Sequence, residues 1–450
     1  MPSSLSRFAP GVLVCFASCG PPQTSDCPSA TTPPAGPWAN TYGGPSGDKA
    51  AAIAATRDGE LIVGGSTRSF GAAAEDDWIL KLARSGEVRW EIRVEGSGTE
   101  SADAVAATRD GGAVMVSTRS ISAGPSSRRG AILVARFDCA GELVWAKTLA
   151  VGEFGDFSFV QALRDTPDGG FLLAGGVNDS PELGADCLVL KLSADGNLEW
   201  QRAYGRPDGG ESCTGIALAG GGYVLAGEYE RIESGRRRND VWLLGLGARG
   251  DVAWEQTYGE PDVEEARSSI REDGHGTFLV TFGRNGEPQL LAVDASGAPV
   301  WQKGYRASVG VGVTDLWVAP DGSGTMVGTT GGDEDVWAMH VGPLGDPIWS
   351  RRYGPDTLDR GEGVAGFDDG AVVLAGTLAW GSPRDADEVW VAHPGADGRV
   401  GSSGSDVPVT AVRMNVATQD TAVRVRVPSV DVESVSPRVT RTAGRVRSLP

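Results

Sequence analysis

The chain has 450 residues, of which 66 are glycine and 40% are hydrophobic, so it is rich in turns yet able to bury a core. The glycines follow no three-residue period, which excludes collagen. With 40 lysines and arginines against 59 aspartates and glutamates, the formal charge of -19 repels phosphate backbones and anionic headgroups and argues against nucleic-acid binding.

Residues 1–7 carry one positive charge, 8–17 are mostly apolar, and Phe16-Ala17-Ser18-Cys19 follows. That order predicts a secretory signal over 1–19, too short to span a bilayer permanently. It resembles a bacterial lipoprotein lipobox, which implies that Cys19 becomes the acylated first residue of the mature protein; Phe16 stands where that family has Leu. Residues 20–37 are rich in Pro, Ser and Thr without hydrophobic periodicity and read as a flexible tether. No later stretch approaches the ~18 consecutive apolar residues of a membrane helix, so the body is expected to be soluble.

From Trp38 onward one pattern recurs at intervals of about 50 residues. A turn glycine stands four residues before Trp at Gly86/Trp90, Gly141/Trp145, Gly196/Trp200, Gly250/Trp254, Gly297/Trp301 and Gly345/Trp349, and Gly398-Arg399-Val400 ends the series. Between landmarks lie short β-branched or aliphatic segments bounded by Gly, Asp, Ser or Pro, four to a repeat, and no 3.6-residue period long enough for a helix. Asp58-Gly59, Asp110-Gly111, Asp168-Gly169, Asp273-Gly274, Asp321-Gly322 and Asp369-Gly370 separate the first and second segments, as hairpin turns rather than calcium loops. The prediction is an all-β fold: a seven-bladed β-propeller of four-stranded antiparallel blades over 38–400. The segment Trp38–Gly43 matches a fourth strand, while the last repeat lacks one, so the N-terminal strand should close the ring.

The segments 194–200 and 295–301 resemble the Gly-x-x-x-Trp signature of PQQ-like propeller repeats, and the Tyr-Gly-Gly and Asp-Gly-Gly elements are similar to delta-60-type repeats of secreted proteins. The resemblance covers 38–400 and implies the fold; its motifs are packing and turn residues, and the extra cofactor-binding residues of quinoproteins have no match.

Of 13 tryptophans, seven occupy the fourth-segment landmark and Trp78, Trp242, Trp337 and Trp390 share a third-segment column, as wedges between blades. Trp317 and Trp380 fall outside both columns, and Trp380 is the candidate ligand contact. His340 and His393 share a column with Lys81, Arg136 and Lys191, and sit too far apart to share a metal ion. No nucleophile, metal or nucleotide motif is present, so no catalytic residue, metal or cofactor is assigned. Among the cysteines, Cys187 and Cys213 fall on neighbouring blades and form the candidate disulfide. Connections between second and third strands vary most, and the segment 230–239 carries Arg236, Arg237 and Arg238, a basic candidate contact on an acidic protein. Residues 401–450 leave the repeat: seven arginines against four acids, with alternating Val and Arg, read as disorder or an edge extension.

The expectation is a monomeric binding or scaffold module in the bacterial cell envelope, an outer-membrane lipoprotein or extracellular, touching the membrane through its lipid alone. It would bind a protein or glycan ligand. The alternative is an extracellular propeller enzyme, a lyase, hydrolase or quinoprotein-like protein, working at the central channel.

Overall fold

The computed structural model describes residues 36–448 except 97–99, 125–126, 152–157, 179–184, 207–208, 234–235, 260–264, 333, 355–357 and 380–386, and, in the tail, 402–403, 415–417, 420–423, 427–429, 435–438 and 443–444; for 120–124, 127–129, 158, 231–233, 236–238, 265–267, 413, 418–419, 424–426, 430–434, 440 and 445–448 it describes the backbone alone.

Seven antiparallel sheets surround a central channel. Their innermost strands are Asp48–Ala55, Ala102–Ala107, Ser158–Asp165, Gly209–Ala219, Glu265–Glu272, Val311–Val318 and Arg360–Gly366, which define blades 1 to 7 in chain order. Each blade then steps outward through two more strands to a fourth, which in blade 1 is Val88–Val94. Blade 7 takes its fourth strand from the other end of the chain: Trp38–Gly43 pairs with Asp387–His393, Trp38 opposite His393 and Tyr42 opposite Val389. The core is correspondingly divided, because a sheet of this width cannot bury both faces alone. Among the described residues there are seven hydrophobic clusters, each filled from two adjacent blades, the seam between blades 7 and 1 included.

Strand direction gives the ring two unlike faces. Turns joining first to second and third to fourth strands lie on one, the turn face. Connections from second to third strands and from blade to blade lie on the other, the loop face. On the turn face the six Asp-Gly glycines take φ of +75° to +88°, the left-handed conformation a tight hairpin needs.

The Gly-x-x-x-Trp element forms a staple between blades. A Cβ on Gly196, at φ +73°, would lie 2.8 Å from the Trp145 ring of the preceding blade. Trp145 Nε1 donates to the Ala194 carbonyl at 3.1 Å in that same turn. Four residues beyond Trp200, the equivalent in the next blade, Tyr204 donates to the Gly250 carbonyl at 2.6 Å, and Tyr42, Tyr258, Tyr305 and Tyr353 repeat this bond on Gly86, Gly297, Gly345 and Gly398. Gly86 receives Trp38 and Tyr42, so the staple also locks the closing seam. These outer tryptophans therefore clasp the next blade's turn at the rim, while Trp78, Trp242, Trp337 and Trp390 are the buried wedges.

The tail is ordered into strands where it is described. Ser405–Asp406 pairs with blade 6, Val409–Arg413 with blade 5, Thr418–Gln419 with blade 4, Arg424–Arg426 with blade 3, Val430–Ser434 with blade 2, Val439–Arg441 with blade 1 and Arg445–Ser448 with blade 7. One circuit in the direction opposite to the blades thus gives every sheet a fifth strand. Of the two alternatives for 401–450, these stretches adopt the edge extension and not disorder. The physical reason is that each outer strand offers unpaired N–H and C=O groups, which a short Val-containing segment can satisfy without supplying core volume. Charge helps, as Arg441 meets Glu142 at 2.7 Å.

Candidate functional site: the central channel and the loop face

The inner strands share a defect that points to the site. In each blade the pairing of first with second strand skips a residue early in the inner strand: Ala51, Asp103, Gln161, Thr214, Thr314 and Glu362 in blades 1, 2, 3, 4, 6 and 7, and the pair Arg267 and Ser268 in blade 5. A β-bulge frees its extra residue from the ladder and re-aims it. Here one bulge residue from each blade lines a cavity of about 580 Å³ on the ring axis, within the size range of small-molecule sites. In six of the seven blades the next residue is small and faces the neighbouring inner strand: a Cβ on Gly215 would lie 3.1 Å from Ile270, and one on Gly363 the same distance from Ile53.

Two of the hydroxyls in this ring hold blades together. Thr214 donates to the Ser268 carbonyl at 2.5 Å and Thr314 to the Gly361 carbonyl at 2.7 Å, each on the following blade. Asp315 is likewise engaged: Oδ1 accepts from Arg271 at 2.8 Å and Ser269 at 2.9 Å, and Oδ2 from the Val364 N–H at 3.2 Å. The wall formed by blades 2 and 3 differs. Asp103 accepts the Thr118 N–H at 2.8 Å, and burial pushes its carboxyl up to about 6. Gln161 is exposed to the channel. Arg164 is half-buried and donates to the neighbouring Leu163 carbonyl at 3.0 Å; burial and the nearby Arg271 lower its guanidinium to about 9.

A second cavity, of about 710 Å³, lies beside the channel between blades 5, 6 and 7 and shares Thr314 and Glu362 with it. On its blade 5 side the connection is short. Blade 5 turns through two residues, Asn285 and Gly286, both at positive φ, in the manner of a type I′ hairpin. In blades 2 and 4 the second and third strands instead continue as long hairpins, Ala113–Gly124 with Ser127–Phe137 and Gly222–Glu233 with Arg236–Gly247. The loop face is therefore tall on one side and notched on the other.

Arg236, Arg237 and Arg238 are paired strand residues opposite Glu233, Ile232 and Arg231, which corrects the expectation of an irregular loop; their side chains lie outside the described residues. Trp380 and Cys19 also lie outside them. Cys187 and Cys213 form a disulfide from the third strand of blade 3 to the inner strand of blade 4. The basic column serves the turn face: Lys81 donates to the Gly111 carbonyl of the next blade at 2.7 Å, and Arg136 to that of Ala194 at 3.1 Å. His340 bonds Thr325 and stacks on Trp349, and His393 bonds the Val372 carbonyl. Among the described residues no cluster of His, Cys, Asp or Glu is arranged to hold a metal ion.

The bulge ring escaped the sequence reading because Ala, Asp, Gln, Thr, Ser, Thr and Glu share no chemistry. The small residue after each of them was the available signal: Ala52, Ala104, Ala162, Gly215, Ser269 and Gly363, with Asp315 the one exception.

No family model matches the sequence, and no curated protein matches it. Among solved structures, the chain is similar to Sqt1 of Chaetomium thermophilum, at 12% identity and a TM-score of 0.43, covering 79% of this chain and 97% of that one. Similarity to a protein of unknown function from Dyadobacter fermentans is 10% in identity with a TM-score of 0.43, over 79% and 98% of the two chains. An α-L-arabinofuranosidase of Fusarium graminearum gives 10% identity and a TM-score of 0.43 over 79% and 98%. The seven-bladed β-propeller assignment rests on the sheets themselves.

Proposed function

We propose that the protein is an exported, lipid-anchored binding or scaffold module of the bacterial cell envelope, with its contact surface on the loop face and the channel mouth. The observation that carries this reading is the asymmetry of the ring: uniform hairpins and staples fill the turn face, whereas the loop face varies from a two-residue turn to extended hairpins. Recognition placed on variable connections over a rigid ring leaves the fold undisturbed. The described chain enters at Trp38, whose Nε1 donates to Arg84 in the turn between the third and fourth strands of blade 1. A tether over 20–37 from an acylated Cys19 would therefore leave from the turn face and present the loop face outward. Similarity of the repeat to PQQ-like and delta-60-type elements fits an exported propeller.

Capture from cell envelope tests this reading. The soluble protein should recover a partner that the Arg236→Glu/Arg237→Glu/Arg238→Glu version recovers at least about tenfold less. Equal recovery would remove the basic hairpin as a contact.

Asp103 favours a second reading, an enzyme at the channel. A carboxyl held near 6 suits a general acid or base. Turnover of an extracellular glycan abolished by Asp103→Asn would establish it.

A further inference from the structure

The cavity on the ring axis is lined by two arginines, Arg164 and Arg271, and by the carboxylates Asp103, Asp315 and Glu362. At the wall formed by blades 2 and 3, Arg164 presents a guanidinium that donates one N–H to the adjacent Leu163 carbonyl. The opposite acid, Asp315, is occupied by Arg271, Ser269 and the Val364 N–H. A guanidinium has five donors, and although Asp315 and Asp165 oppose the repulsion from Arg271, the remaining N–H groups of this half-buried cation can take an added anion. Two other bulge positions, in blades 2 and 7, carry carboxylates, Asp103 and Glu362, with only Ala51 of blade 1 between them in the ring. Those carboxylates repel a polyanion and accept hydrogen bonds from hydroxyl or amino groups. Gln161, exposed at the bulge of the same blade 3 strand that carries Arg164, can both donate and accept.

We infer that the channel binds a small molecule bearing a single carboxylate and several hydrogen-bond donors, its carboxylate on Arg164 and its donors toward Gln161 and Asp103. A sugar acid and an amino acid share this chemistry, and the cavity of about 580 Å³ admits either. The inference deepens the binding-module reading and rests on it. It concerns the floor of the channel, so it stands apart from the hairpin contact.

Calorimetric titration of the full-length protein with D-glucuronate, L-glutamine and D-glucose tests it. Glucuronate or glutamine should bind saturably, at least about tenfold more tightly than the neutral sugar, and the tighter of the two acids names the source. Arg164→Gln should erase the preference over glucose, and Arg164→Lys should keep part of it. Gln161→Ala, a change at an exposed position, should weaken the acid without loss of the folded state. The affinity should also fall between pH 7.5 and 5 as Asp103, which interacts with the Asp77 carboxyl of blade 1, takes up a proton; Asp103→Asn should flatten that profile and Asp77→Asn should leave it in place. Equal binding of glucose and the acids, a preference that survives Arg164→Gln, or no binding by any probe overturns the inference. Envelope capture that persists while the titration fails leaves the loop-face reading standing; equal capture by the hairpin variant with the titration intact removes the hairpin contact and leaves the channel site standing.

Discussion

The two faces of the ring are made by the same strands, yet one is nearly uniform and the other is not. On the turn face each blade presents a glycine at positive φ to the preceding blade, and at Gly196 the space a Cβ would need is filled by Trp145. On the loop face the blades differ in height, in charge and in what they place over the channel. Uniformity marks the positions where every seam has the same mechanical problem to solve. Variation marks the positions released from it.

The sharpest way to break that contrast is Gly196→Val. A β-branched residue at φ +73°, with its Cβ placed 2.8 Å from an indole, combines left-handed strain with overpacking. The expected loss is about 3 kcal/mol of stability, read from the denaturant midpoint. Gly220→Ala, at a turn glycine with nothing within 4 Å of its Cβ, should cost less than about 0.5 kcal/mol. Similar losses at the two sites would refute the staple.

Removing residues 402–450 should come next. The blades retain their seven seams, so the ring should stay folded by circular dichroism, with a loss of about 2 kcal/mol from uncovered outer edges. Light scattering should show self-association of the truncated protein. A truncated chain as stable and as monomeric as the full one would make the belt incidental.

Acidity probes the loop face. Burial holds the Glu211 carboxyl up at about 8, beside Asp186, Glu255 and Arg206, and Asp77 at about 7. Between the ordinary range of a glutamate and pH 8, the unfolded chain releases a proton that the folded chain keeps, so stability is present at acidic pH and declines as pH rises through this window. Melting temperature should therefore fall from pH 5 to pH 8, and Glu211→Gln should flatten the decline. A rise over that range would contradict the burial of these acids.

Smallest is the effect of shortening the blade 4 hairpin by deleting 231–238 and closing it with Asn-Gly. This should leave the melting temperature nearly unchanged while abolishing envelope capture, because the removed segment extends beyond the four-stranded body of the blade.

What could be read in advance follows the same division. Gly-x-x-x-Trp was legible because one packing solution recurs in each seam, and Trp38 could be assigned to the last blade because it carries the mark of a fourth strand. Tyr42, Tyr204, Tyr258 and Tyr353 were visible only as Tyr-Gly pairs, and Tyr305 lacks even that glycine; their bond to the next turn's carbonyl needs the ring closed. The belt was obscure because strands such as Thr418–Gln419 and Arg424–Arg426 carry too few residues for a period and too little volume for a core. At the channel the residues answer to one neighbouring strand and not to the repeat. Asp103 and Gln161 therefore resemble ordinary surface polar residues until the bulges turn them inward.

Hydrogen–deuterium exchange on the protein with and without its captured envelope partner tests the division of labour most directly. Protection should gather on the hairpins 113–137 and 222–247 and on the inner strands around the channel, with the Asp-Gly turns and the tryptophan staples unchanged. Protection centred on those turns, with the hairpins and inner strands exchanging as before, would place recognition on the wrong side of the ring and contradict the account.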